Sequence, residues 1–202
     1  MPAANPAWRR GWQFTRPECR VAELWSFGGK GGSVLKLYKR IDGVLHYHEA
    51  WAAGGKIIEH WGVAGERGQT AEHKLPMKAD ADAAVSAVLE RAMAQGYVPV
   101  DEIGEATLLI EYAVEGFGSP ADLEKRHALE DRMNEMLGWT GLGNCDGGSI
   151  GSGTMEVCCF VADFEVAKRV IEADLAGTEF VDFTRIYDEN AEPGGAADGG
   201  GR

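Results

Sequence analysis

A run of apolar and polar positions rich in β-type residues begins at Val34 and extends to Ile41, where it stops at Asp42-Gly43. An Asp-Gly link between two such runs predicts a hairpin, because both turn positions need positive φ. The return run, Val44 to Trp51, sets Leu45, Tyr47 and Trp51 on one face and His46 and His48 on the other. Gly54-Gly55 turns the chain again, Lys56 to Val63 gives a third strand, and beyond Gly65-Glu66-Arg67-Gly68 a fourth spans Gln69 to Leu75. At Asp80 the period changes. Ala84, Val85, Val88, Leu89 and Ala92 recur at helical spacing behind a capping Asp80, and Gly96 ends the helix.

The second half repeats none of this. Thr107 to Val114 reads as a strand, and Ser119-Pro120-Ala121-Asp122 starts a helix with a capping serine, a proline at the first helical position and an acid at the third. Leu123, Leu129, Met133, Met136 and Leu137 form its buried side. A glycine-rich stretch leads to a strand over Thr154 to Val161. A helix from Asp163 follows, with Val166, Val170 and Ile171 facing inward, and a last strand runs from Phe180 to Tyr187. Strand–helix–strand–strand–helix–strand is the βαββαβ order of ferredoxin-like folds. The expected class is α+β. Its parts are an N-terminal arm and Gly-rich loop over 1–33, an antiparallel-sheet domain over 34–101, a ferredoxin-like domain over 104–189, and a disordered tail over 190–202.

Composition narrows the setting. No apolar run approaches the ~20 residues that span a bilayer, so no membrane partner is expected. The opening MPAANPAWRR carries no apolar stretch behind its charges. Cys19, Cys145, Cys158 and Cys159 contain no CxxC, and adjacent Cys158 and Cys159 point to opposite faces of their strand. Reduced thiols in a cytoplasmic chain are the expectation. The net charge of −12 is uneven: residues 1–100 hold 13 Lys and Arg against 10 Asp and Glu, and residues 101–202 hold 7 against 22. The first half, at +3, tolerates a polyanion; the second, at −15, repels one and suits a basic protein. Trp8, Trp12 and Trp25 among Arg9, Arg10, Arg16 and Arg20 read as an arm packed on the first domain or as one that contacts nucleic acid.

The run His60-Trp61-Gly62-Val63-Ala64-Gly65-Glu66-Arg67-Gly68-Gln69-Thr70, with the flanking strands, the helix and Gly96-Tyr97, resembles the signature of WGR domains over about residues 30–100. The resemblance implies an antiparallel sheet with one helix and, by analogy with poly(ADP-ribose) polymerases of DNA repair, contact with DNA ends. Trp61 is then the stacking residue. The motif arginine is replaced by Val63, which removes the side chain best suited to phosphate, and leaves Arg67 and Lys74 as the nearby cationic candidates. The alternative reading of Trp61 is a sheet residue wedged against a glycine turn.

Other candidate chemistry is thinner. Gly147-Gly148-Ser149-Ile150-Gly151 matches GxSxG, but a strand rather than a helix follows, and no histidine occurs after His127. Cys145 beside Asp146, with His127 upstream, forms a possible thiolate pair; a turn is the plainer reading. Asn144, Cys145, Asp146 and Ser149 are expected to form a protein-interaction loop, since glycines let another backbone approach. His46 and His48 lack a third ligand at motif spacing, and Glu49 points the other way, so no metal or cofactor is expected. The resulting expectation is a non-enzymatic binding protein. Its WGR-like module would contact DNA or a protein, and its acidic module a basic partner; the alternative is an acidic inhibitor or immunity-type protein with no nucleic-acid role. The sequence sets no oligomeric state.

Overall fold

In the first half, paired glycine-bearing turns fold four strands on one another. A computed structural model describes residues 35–75 and 80–191, all within one compact unit, Val34–Arg202. The expected N-terminal arm with its tryptophans, the Gly-rich loop, Cys19 and the tail beyond Ala191 lie outside the described residues.

Strands β1 (Lys36–Ile41), β2 (Val44–Ala53), β3 (Lys56–Val63) and β4 (Gln69–Lys74) form an antiparallel meander. Asp42 and Gly43 sit at φ 51° and 83°, and Gly54 and Gly55 at 57° and 74°, the left-handed values that two-residue hairpins demand. Helix α1 (Ala81–Ala94) starts where Asp80 accepts from the amides of Asp82 and Ala83. Its Val85, Val88, Leu89 and Ala92 pack on Leu37, Ala50 and Ile57, covering one face of the sheet. The short β5 (Val98–Pro99) joins β1, so the order is β4-β3-β2-β1-β5, and the one-turn α2 (Val100–Ile103) leads onward.

The second half runs β6 (Ala106–Ala113), α3 (Pro120–Trp139), β7 (Gly143–Gly151), β8 (Thr154–Val161), α4 (Phe164–Leu175) and β9 (Arg185–Asp188). These strands make a second antiparallel sheet ordered β7-β8-β6-β9. Ser119 and Asp122 close a reciprocal capping box at the start of α3. Both helices lie on one sheet face: Leu129, Met133 and Leu137 of α3, with Ala167, Ile171 and Leu175 of α4, bury Leu108, Ile110, Val157 and Val161.

Two expectations are corrected. The glycine-rich stretch is not a loop, because Gly143–Gly151 forms edge strand β7 along β8, with a bulge between Cys145 and Gly147. Its glycines let it lie close: a Cβ on Gly148 would stand 2.2 Å from the Glu156 carbonyl oxygen. The last strand is shorter than expected, since Phe180 sits buried in a turn where its carbonyl accepts from the Tyr112 hydroxyl at 2.8 Å.

The two sheets share a core. Tyr38, Leu45, Tyr47 and Ala64 of the first half belong to the same buried cluster as Leu137 and Leu142. The backbone at Gly141 lies against the Tyr47 ring, so close that a Cβ there would be 2.2 Å from ring carbons. At the same seam the Gly65 amide donates to the Thr140 carbonyl at 2.9 Å, and Arg40 pairs with Asp163 at 2.9 Å.

Candidate functional site

The motif stretch occupies the end of β3 and the turn into β4, and its glycines serve close packing inside the molecule. Gly68, at φ 65°, would place a Cβ 2.2 Å from the Tyr47 hydroxyl oxygen. Gly65, at φ 96°, abuts Val166 of α4, with 2.9 Å from the would-be Cβ to the valine methyl. A side chain at Gly62 would strike the backbone of Gly68. The turn is therefore folded around Tyr47 and against the second half.

His60, the residue before the motif tryptophan, is fully buried at the centre of this packing. It faces its cross-strand partner Glu49. His60 Nδ1 lies 2.7 Å from Glu49 Oε1; Nε2 lies 2.7 Å from the Arg67 carbonyl and 2.8 Å from the Tyr47 hydroxyl. Glu49 and the Arg67 carbonyl are acceptors, and the Tyr47 hydroxyl can donate to the ring or accept from it. Lys36 reaches the other Glu49 oxygen at 2.7 Å. Burial, with the Glu49 and Glu66 carboxylates nearby, pushes the Tyr47 hydroxyl far above its ordinary range.

Trp61 points to the opposite face, the one α1 partly covers. Its ring stacks on His48 at 6.1 Å between centroids, and His48 meets Tyr97 edge-on at 5.6 Å. Lys39 Nζ lies 5.9 Å from the Tyr97 centroid and donates to the Gln95 carbonyl at 2.7 Å. The Glu59 carboxylate accepts from His48 Nε2 at 2.9 Å and from His73 Nε2 at 2.8 Å. Arg67 is exposed on the turn, and its carbonyl holds His60. Lys74 pairs with Lys56 at the far end of the β3–β4 ladder, whereas Trp61 pairs with Gln69. Five residues of strand separate the two positions by about 17 Å, and alternation turns Lys74 to the other face. Trp61, Arg67 and Lys74 do not converge on one site. Val63, in the place of the motif arginine, is half-buried and paired with His46.

On β7 the four nominated residues divide. Asn144 and Ser149 pair with Phe160 and Glu156, on the sheet face away from the helices. Ser149 Oγ reaches Glu156 at 3.4 Å, and the Tyr187 hydroxyl donates to the other Glu156 oxygen at 2.6 Å. Asp146 is the exposed bulge residue. Cys145 turns inward beside its register partner Cys159, and its amide donates to the Asn134 side chain at 3.0 Å. A hydrogen bond from the Cys159 thiol holds Cys145 below the ordinary thiol range, while Cys159 is raised well above it by that pairing and by burial. Cys158, on the outer face, is pushed up to about 12 by burial and surrounding carboxylates. His127, seven residues before Asn134 on α3, stands about 10 Å back along the helix axis and meets the Arg126 guanidinium at 3.0 Å.

Sequence reasoning missed two features. The first is the Glu49–His60 pair. The second is an aromatic groove of about 180 Å³ between the halves, lined by Trp51, Asn134, Glu135, Gly138 and Trp139. Trp51 and Trp139 stand edge-to-face at 6.3 Å, with His60 beneath Trp139 at 5.4 Å. Trp139 is 44% exposed.

Charge is distributed differently from the sequence totals. The described residues among 35–100 carry 7 Lys and Arg against 8 Asp and Glu, so the cationic excess of the first half lies outside them. Residues 101–191 carry 6 against 20. Among the described residues no group of three or more His, Cys, Asp or Glu is placed to hold a metal ion, and no helix is long and apolar enough to cross a membrane. No protein-family model, curated protein or solved structure matches the chain.

Proposed function

We propose that this chain is a non-enzymatic binding protein whose acidic half receives a basic protein partner. In this reading a ferredoxin-like βαββαβ module is backed by a WGR-like sheet. The strand order β7-β8-β6-β9 with both helices on one face supports the first assignment, and the glycine turn at 62–68 after three meandering strands supports the second.

The observation that carries the reading is the excess of 20 acids over 6 bases across residues 101–191. Four of those bases are already held by acids: Lys125 by Asp182, Arg126 by Glu130, Arg132 by Asp174 and Arg185 by Glu111. The remaining field favours a cationic surface and speeds its association. The test is fluorescence anisotropy of a labelled lysine-rich peptide and of labelled blunt and nicked duplex DNA, each against the full chain at two salt concentrations. Peptide binding that weakens with salt, without duplex binding, is the expected result; no peptide binding at low salt overturns the reading.

A second reading keeps the nucleic-acid role, and one observation favours it: the Trp61–His48–Tyr97 row beside Lys39 offers aromatic faces and a cation on one sheet surface. Salt-sensitive duplex binding that Trp61→Ala abolishes would establish it.

A further inference from the structure

Trp51 reaches the junction of the two sheets from β2, and Trp139 from the last turn of α3. Their rings are inclined at 78°, so they form two walls of an open corner rather than a stack. The floor is Gly138, where a Cβ would meet nothing within 4 Å. On the rim stand Asn134 and Glu135, both exposed.

The electrostatics of this corner have one sign. An indole face is electronegative and attracts a cation held within about 6 Å of its centroid. Glu135 adds a carboxylate for which no hydrogen bond or ion pair is found among the described residues, and Asp131, one turn earlier on the same side of α3, is likewise without one. The cations that might have neutralised them are engaged elsewhere. Arg132 is bound to Asp174 through two nitrogens, and Arg126 to Glu130 and the Gly148 carbonyl. An apolar ligand would leave Glu135 unanswered, and an anion would face a carboxylate and two π faces. A lysine or arginine side chain fits, with its methylenes on the rings and its head at Glu135.

We infer that the Trp51–Trp139 groove is the anchor point for a single lysine or arginine side chain of the basic partner. This rests on the acidic-surface reading above and adds to it a defined pocket. A diffuse negative field holds a basic protein loosely in many orientations; one aromatic corner with a carboxylate fixes a register, as buried aromatic anchors do at protein interfaces.

The probe is the labelled lysine peptide, with its lysine-acetylated counterpart as the neutral control, titrated into the full chain and its variants. Glu135→Gln and Trp139→Ala are each expected to weaken lysine-peptide binding about fivefold, the scale of a half-exposed cation–π or ion-pair contact. Trp139→Phe, which keeps a π face, should lose less. Glu124→Gln removes an exposed acid elsewhere on α3 and should stay within twofold of the parent. If Trp139→Ala perturbs folding, Glu135→Gln decides, since its side chain is exposed. Should Glu135→Gln and Trp139→Ala bind no more weakly than Glu124→Gln, the groove inference fails while the acidic-surface reading stands. Should the parent chain bind the acetylated peptide as well as the cationic one, both fail.

Discussion

Removing the imidazole of His60 should destabilise the protein by about 4 kcal/mol. The ring is fully buried and makes three polar contacts: Glu49 at 2.7 Å, the Arg67 carbonyl at 2.7 Å and the Tyr47 hydroxyl at 2.8 Å. In His60→Ala the carbonyl and hydroxyl lose a buried partner, at about 1 kcal/mol each, and the charge-assisted contact to Glu49 costs about 2 kcal/mol more. Lys36 still holds one Glu49 oxygen, so the carboxylate is not stranded. The total is about 4 kcal/mol, within the range for breaking a buried pair. In a unit of this size that lowers the melting temperature by roughly 8–16 °C. The assay is urea and thermal denaturation of parent, His60→Ala, Glu49→Leu and the double variant. If the contacts form one network, the double variant should be more stable than the sum of the two single losses implies, by about 1–3 kcal/mol. A loss below about 1 kcal/mol for His60→Ala, or strict additivity with Glu49→Leu, would refute the reasoning.

The remaining predictions probe the seam and the charge pairs. Gly141→Ala forces a methyl within 2.2 Å of the Tyr47 ring at φ 65°, whereas Gly54→Ala, at φ 57°, meets nothing within 4 Å. Denaturation should give a loss of about 2–4 kcal/mol for the first and about 1 kcal/mol for the second, and equal losses would mean the seam is loose. Glu111 is held below its ordinary pKa of 4.5 chiefly by the Arg185 guanidinium, with Thr184 assisting against a burial that opposes them. A depressed carboxyl contributes stability above the ordinary pKa and loses it as pH falls through the lower folded value. The melting-temperature gap between parent and Glu111→Gln should therefore shrink as pH drops from about 6 to about 3; a constant gap contradicts the assignment.

The strands of the first half were legible chiefly because they are bounded by turns with their own chemistry, and β2 adds a clear alternation. The same turns held more than was read from them. A two-residue link at Gly54-Gly55 fixes Ala53 opposite Lys56, and counting back sets Glu49 opposite His60 and His48 opposite Trp61. The buried pair and the stacked pair were both implicit in the register, but a search for ligands along one strand passes over partners on the next. Strand β7 was not legible for a different reason. Its four glycines and polar residues carry neither alternation nor β propensity, and it is a strand because β8 presents an apolar ladder for it to join. The Trp51–Trp139 groove depends on how two sheets dock, which no local pattern encodes.

The docking also changes what the motif can do. Gly65 and Gly68 lie against Val166 and Tyr47, which leaves no room for a side chain at either position, while Glu66, Arg67 and Gly68 face solvent. Trp61 is partly within reach of a partner, on the face α1 leaves partly open. Trp51 and His60 share the other face by strand alternation. A nucleic-acid end drawn to Trp61 and a cationic side chain drawn to Trp139 would thus approach opposite sides of one sheet, and the two roles separate by mutation. Trp61→Ala should leave lysine-peptide affinity unchanged, and Glu135→Gln should leave any duplex binding unchanged. If either variant moved both, the two faces would not be acting as independent surfaces, and the motif would have to be sought as part of one continuous site.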